Sequence, residues 1–229
     1  MKLVKKNAVF ITVICVFAMQ SVTAQSSYDS SYSTTYYGQK TTLFNLLPNT
    51  KNEIIFLGNS ITDIGEWTEI WQDINVKNRG ISGDNTFGVL ARLPEIVAAK
   101  PKKIFIMIGI NDIAKNIPDE VIIGNYKKII TSIEKATPAT QIIVQSILPT
   151  NNTFTEFKNH QNKTEHILKI NSFLKQFCQE KKIVFLNLYP KFLDATGKLD
   201  KQYTNDGLHI NGYGYLLWKK AILEQGLMK

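Results

Sequence analysis

Ser60, His209 and Asp206 are the side chains in this sequence best suited to act together on an ester. A serine hydroxyl is a weak nucleophile until a base takes its proton. An imidazole can serve as that base near neutral pH. Asp206 and His209 are separated by two residues, which puts both side chains on one side of a loop or a first helical turn. A carboxylate bonded to Nδ1 fixes the tautomer, leaves Nε2 to face the serine, and stabilises the imidazolium without taking the proton itself. The tetrahedral intermediate needs hydrogen-bond donors as well, and Ser60 N–H, Gly83 N–H and the Asn111 amide are the candidates. Each member also has a plainer reading. Gly83 suits any loop that needs positive φ, Asn111 could cap a helix, and a lone histidine is more often structural. The other two histidines, His160 in a polar loop and His166 at a helix start, read as solvated.

The elements that carry these residues follow from hydrophobic periodicity. Residues 53–59 read as a buried apolar strand that ends at Gly58 and then presents Ser60. Further strands are expected over 75–78, 103–108, 141–148 and 183–188. Helical spacing marks 39–47, 65–74, a segment through Val89, Leu93 and Ile96 capped by Asp84 or Asn85, 118–135, 165–179 and 211–227. Trp67 and Trp71 read as core or pocket wall. Residues 79–86, 109–112 and 151–162 read as loops, and 189–205 as a long connection. Strands alternating with helices imply right-handed crossovers, hence a parallel sheet with helices on both faces. Ligands of such sheets bind outside the carboxyl ends of the strands. Ser60, Gly83 and Asn111 all follow strands at that edge, and Asp206 and His209 precede the final helix.

Four blocks occur in order: Gly58-Asn59-Ser60-Ile61-Thr62, Gly80-Ile81-Ser82-Gly83-Asp84, Gly109-Ile110-Asn111-Asp112 and Asp206-Gly207-Leu208-His209. In order and spacing the set resembles the SGNH (GDSL-type) hydrolase superfamily. The middle portion, with Ser146-Ile147-Leu148-Pro149, resembles its platelet-activating-factor acetylhydrolase-like branch. The resemblance implies an α/β fold, a three-layer α/β/α sandwich with a flavodoxin-like parallel sheet of about five strands. It implies a cofactor-free serine esterase, with Ser60 as nucleophile, Asp206 and His209 as orienter and base, and Ser60, Gly83 and Asn111 around the oxyanion. Small O-acetyl groups on carbohydrates, sialic acids included, are the expected substrates. Lysophospholipid or thioester hydrolysis is the alternative, with Trp67, Trp71 and Phe87 as conceivable walls of an acyl groove. A glycan-binding module without activity is a third reading that the complete triad disfavours. The sequence departs from the pattern at Asn59, where the family has aspartate; asparagine keeps an acceptor and brings no charge.

Composition narrows the rest. The 229 residues suit one domain. Lys2, Lys5 and Lys6, the apolar run 8–19 and the small residues Val22-Thr23-Ala24 read as a secretory signal, 1–24, cleaved near Ala24. Residues 25–36 then read as a flexible leader and 37–229 as the hydrolase domain. The net charge of +8 falls to +5 once those three lysines are gone. The remaining lysines are scattered without interleaved aromatics, which argues against nucleic-acid binding. Cys15 lacks the flanking small residues of a lipoprotein signal, so no lipid anchor is expected. Cys178, the one cysteine left, fits a helical core position. No His-Glu-x-x-His or cysteine–histidine cluster points to a metal, and no Gly-x-Ser-x-Gly elbow points to the α/β-hydrolase fold.

Overall fold

The computed structural model describes residues 28–228; the signal segment and its expected cleavage site lie outside them. Strands β1 (Ile54–Gly58), β2 (Val76–Gly80), β3 (Lys103–Met107), β4 (Gln141–Gln145) and β5 (Val184–Leu186) form one parallel sheet in the order β2-β1-β3-β4-β5. This is the flavodoxin-like order, whose direction of winding reverses between β1 and β3. Both of those strands are buried along their whole length, as continuous Ile and Phe runs require. Gly58 stands opposite Gly80 on one side and Met107 on the other. Strands β2, β1 and β3 therefore end level, and the loops that leave them start side by side.

Helices α4 (Thr86–Ala98), α6 (Asp119–Ala136) and α7 (Thr164–Lys181) pack in succession on one face. Helices α3 (Trp67–Trp71) and α8 (Gly212–Glu224) meet on the other through the rings of Trp67 and Trp218. Phe56 is the centre of that second interface. It stacks on Phe105 at 4.7 Å and on Trp67 at 3.9 Å, and Trp218 meets it edge-on at 6.3 Å. Polar tips are satisfied as buried aromatics require. Trp218 Nε1 donates to Gln145 Oε1, and Tyr215 OH donates to the Ile61 carbonyl. The Tyr215 bond ties the closing helix to the residue next to Ser60.

Three stretches depart from the sequence expectation. The helix expected over 65–74 is a single short one, α3, and a separate four-residue helix, α2 (Ser60–Asp63), precedes it. The chain breaks between them because Trp67 turns into the core, where its indole N–H donates to the Thr62 carbonyl. The loop 109–112 runs directly into α5 (Ile110–Ala114). Helix α1 (Thr35–Leu46) begins inside the stretch read as leader, where Thr34 accepts from Tyr37 N–H as N-cap. Ahead of it, Tyr28 lies against Phe87, and the Ser31 carbonyl accepts from Asn85 Nδ2 and Lys115 Nζ. The described part of the leader thus has specific partners on the domain. Lys103, the first residue of β3, is buried, and its ammonium donates to the Leu227 carbonyl. Among the described residues, no helix is long and apolar enough to cross a membrane.

Phe56→Ala removes the ring on which three others rest. The expected loss is about 3–5 kcal/mol by urea denaturation, and a loss under about 1 kcal/mol would mean that the stack is not what holds α3 and α8 to the sheet.

Candidate active site

Ser60 is the first residue of α2, separated from β1 by Asn59 alone. Asn59 Oδ1 accepts from Ile61 N–H at 3.1 Å and so caps this helix. The cap needs only an acceptor, so asparagine fills the position without a charge. The N–H groups of Thr62 and Asp63 close on the Asn59 carbonyl, and Ser60 N–H lies outside that ladder, as expected at a helix start. Gly58, one step before Asn59, admits no side chain: a Cβ there would stand 2.2 Å from Thr62 Oγ1 and 2.5 Å from the Met107 carbonyl.

The structure brings Ser60, His209 and Asp206 together. His209 Nε2 stands 2.9 Å from Ser60 Oγ, and His209 Nδ1 stands 2.7 Å from Asp206 Oδ2. The loop ahead of α8 builds this arrangement. Asp206 Oδ1 accepts from the N–H groups of Leu208 and His209, and Thr204 Oγ1 donates to the His209 carbonyl. Burial would raise the Asp206 pKa. The Leu208 N–H, the His209 ring and the His209 N–H outweigh it and hold the carboxylate below its ordinary range. An ionised Asp206 accepts from Nδ1–H and leaves Nε2 as the basic nitrogen facing the hydroxyl, the contact that proton transfer requires.

Gly83 lies in the loop after β2 with φ of +82°, a conformation that favours glycine. Asn111 lies in the first turn of α5, and its Nδ2 donates to the Asp84 carbonyl at 2.8 Å. Both border a depression of about 240 Å³, whose other walls are Ala114, Lys115, Asn159 and His160. The loops around it are locked by buried groups to which the sequence reading gave no such task. Arg92 of α4 pairs with Asp84 Oδ2 at 2.9 Å and donates to the Gly58 carbonyl, which ties the first block to the second. Asp112 accepts from Thr86 N–H and Thr86 Oγ1, which ties the third block to α4. Asp63 accepts from Ser82 N–H, Ser82 Oγ and Tyr36 OH, and pairs with Lys40 of α1.

One histidine reading changes. His160 is not solvated: its Nε2 meets Asn111 Oδ1 at 2.9 Å. The two residues are 49 apart in sequence, and no local pattern signals the contact. His166 is exposed at the start of α7, as expected, and bonds Asp119. Phe157, also unmarked in the sequence, meets His160 and His209 edge-on at 5.9 and 4.8 Å. The aromatic residues considered for an acyl groove do not form one. Trp67 is core, and Trp71 and Phe87 pack half-buried against it. A wider groove of about 680 Å³ runs instead along Ile64, Ile70, Tyr213 and Leu216, with Asn205 at its rim.

The model of the GDSL-like lipase/acylhydrolase family matches residues 56–217, which hold all four blocks. The platelet-activating factor acetylhydrolase IB subunit alpha2 of Rattus norvegicus is 28% identical over 169 residues, covering 71% of this chain and 71% of that one. The N-acylneuraminate cytidylyltransferase of Escherichia coli O18:K1:H7 is 30% identical over 176 residues; the match covers 76% of this chain and 40% of that protein. A solved GDSL-like lipase from Bacteroides thetaiotaomicron superposes with a TM-score of 0.72 at 25% identity, covering 84% of this chain and 97% of that one.

Burial raises the Asp84 pKa to about 6 against the pull of Arg92, and raises that of Asp112 to about 7 against the Thr86 donors. Both groups bind protons more tightly folded than unfolded. Between the ordinary carboxylate value of 3.8 and about 7 they therefore make the protein less stable as pH rises. Asp112→Asn removes its share of that slope. Urea midpoints at about pH 5 and about pH 7.5 should lie closer together in the variant than in the wild type, and an equal gap would mean that Asp112 ionises as an ordinary carboxylate.

Proposed function

The chain belongs to the GDSL-like lipase/acylhydrolase family, and on that premise we propose that it is a serine esterase that removes small acyl groups, acetyl above all, from carbohydrate hydroxyls. The observation that carries this reading is the continuous chain from Ser60 Oγ through the His209 ring to Asp206, at 2.9 and 2.7 Å. Ser60 Oγ attacks the ester carbonyl carbon as His209 Nε2 takes its proton. Ser60 N–H, Gly83 N–H and Asn111 Nδ2 bear the oxyanion. The imidazolium returns its proton to the departing sugar oxygen, leaving Ser60 acylated. Water, deprotonated by the same nitrogen, attacks the acyl-enzyme, and the carboxylic acid leaves as the proton passes back to Ser60.

The 240 Å³ depression beside Gly83 and Asn111 supports a short acyl group. So does the kinship with an acetylhydrolase. The relative named for N-acylneuraminate supports a sugar, sialic acid among them, as the alcohol part. The second reading, lysophospholipase or thioesterase, is favoured by the 680 Å³ groove, since Ile64 on its wall is one turn beyond Ser60. That groove contains none of Ser60, His209, Gly83 and Asn111, whereas the smaller depression contains two of the four, and the smaller one governs the choice. Export is part of the same proposal: the basic and apolar start of the chain supports cleavage near Ala24 and action outside the cytoplasm.

Ser60→Ala should lower kcat for p-nitrophenyl acetate by about 10⁴-fold or more, and equal rates for the two proteins would sink the esterase reading. The substrate choice is tested by a panel of O-acetylated sugars, O-acetyl sialic acid included, against lysophosphatidylcholine. Acetate release from the sugars is expected. Turnover of the lipid alone would reverse the preference.

A further inference from the structure

Asn111 makes two side-chain contacts that together fix its orientation. One is to the Asp84 carbonyl, which can only accept, so the atom facing it is Nδ2. The atom facing His160 is then Oδ1, which can only accept as well. His160 Nε2 must therefore carry a hydrogen and donate it across the 2.9 Å contact. Between these two partners the amide is held at both ends. One Nδ2 hydrogen is committed to Asp84, and the second remains for the depression that Gly83 and His160 border. Without a donor at Oδ1, the amide loses the contact that sets its rotation and can turn about χ2.

His160 is built to supply that donor and nothing else. Lys158–His160 form a single 3₁₀ turn, with His160 N–H donating to the Phe157 carbonyl at 2.8 Å. Thr150 Oγ1 donates to the His160 carbonyl, and the Phe157 ring meets the imidazole edge-on. His160 Nδ1 is buried with no hydrogen-bond partner. A bare Nδ1 is what a neutral ring protonated on Nε2 presents. Burial, and then the neighbouring His209, push the His160 pKa below the ordinary histidine value. The ring stays neutral, so it adds no second positive charge beside His209 when that residue becomes an imidazolium.

We propose that His160 is a positioning residue for the acyl transfer: it holds the Asn111 amide so that Nδ2 points at the oxyanion. The inference rests on Asn111 being an oxyanion donor, as in the reading above, and goes beyond it by assigning a task to a histidine outside the triad.

The test is a double-mutant cycle on p-nitrophenyl acetate hydrolysis. Asn111→Ala alone should lower kcat by about 10²–10³-fold. His160→Phe should lower kcat by roughly 10-fold with KM and thermal midpoint near wild type, within the range that touching residues show in such cycles. His160→Gln, whose amide nitrogen reaches the Nε2 position, should recover most of that loss. In the Asn111→Ala background His160→Phe should cost nothing. Equal losses in both backgrounds, or a glutamine variant no better than phenylalanine, would overturn the proposal. If the phenylalanine disturbs folding, His160→Asn, whose amide is a methylene too short, replaces it in the same cycle with the same expected outcomes. An Asn111→Ala enzyme as active as wild type would instead remove the oxyanion reading on which the cycle stands.

Discussion

The Arg92 guanidinium is the group on which the geometry of the catalytic edge depends. It lies in the interior, bonded at once to the Asp84 carboxylate and to the carbonyl of Gly58, the last residue of β1. A buried ion pair is a poor source of net stability, because desolvation offsets most of the attraction. Its use here is geometric. The strand end that presents Ser60 and the loop that presents Gly83 share one rigid cation. The Asp84 carbonyl then receives Asn111 Nδ2, so the third loop is indexed to the same point. Three backbone segments are thereby tied to one another through a single guanidinium and one backbone carbonyl. The proposed oxyanion site needs its donors placed to within about 0.5 Å, and this coupling supplies that precision.

The carboxylates at this edge divide by environment. Asp206 sits among N–H donors and stays ionised. Asp84 and Asp112 sit in the interior with fewer compensations and hold their protons to much higher pH. The one whose charge the imidazolium needs is the one whose charge is favoured. The two that only fix loops do not depend on full ionisation in the same way. Four aromatic rings complete the frame from the opposite side of the sheet, where Phe56 bears Trp67 and Trp218, and Tyr215 reaches back to the Ile61 carbonyl. The loop with His209 is thereby fixed to the element that starts with Ser60.

Much of this was legible in the sequence because it is local. Apolar runs bounded by glycine or proline mark β1 and β3, and Asp-x-x-His closes on itself within one turn. The level ends of the strands follow once the sheet is known to be parallel. What the sequence hid is contact between distant residues. His160 and Asn111, Arg92 and Gly58, and Lys40 and Asp63 carry no shared period or spacing. Asn59 is a different case. Read as a departure from pattern, it becomes an ordinary helix cap once its side chain is seen to need only an acceptor. The shortness of α3 was hidden by a helical spacing that runs on over 65–74, since Trp67 obeys the core rather than the period.

Helix α1 lies wholly before the stretch 56–217 that the family model matches. Yet Tyr36 and Lys40 both bind Asp63, whose other oxygen contacts hold Ser82 beside Gly83. The unit that sets the position of Gly83 therefore begins ahead of β1. A helix outside the sheet acts on the second loop through a single carboxylate. A change in α1 can in this way reach the proposed oxyanion donors without altering any of them.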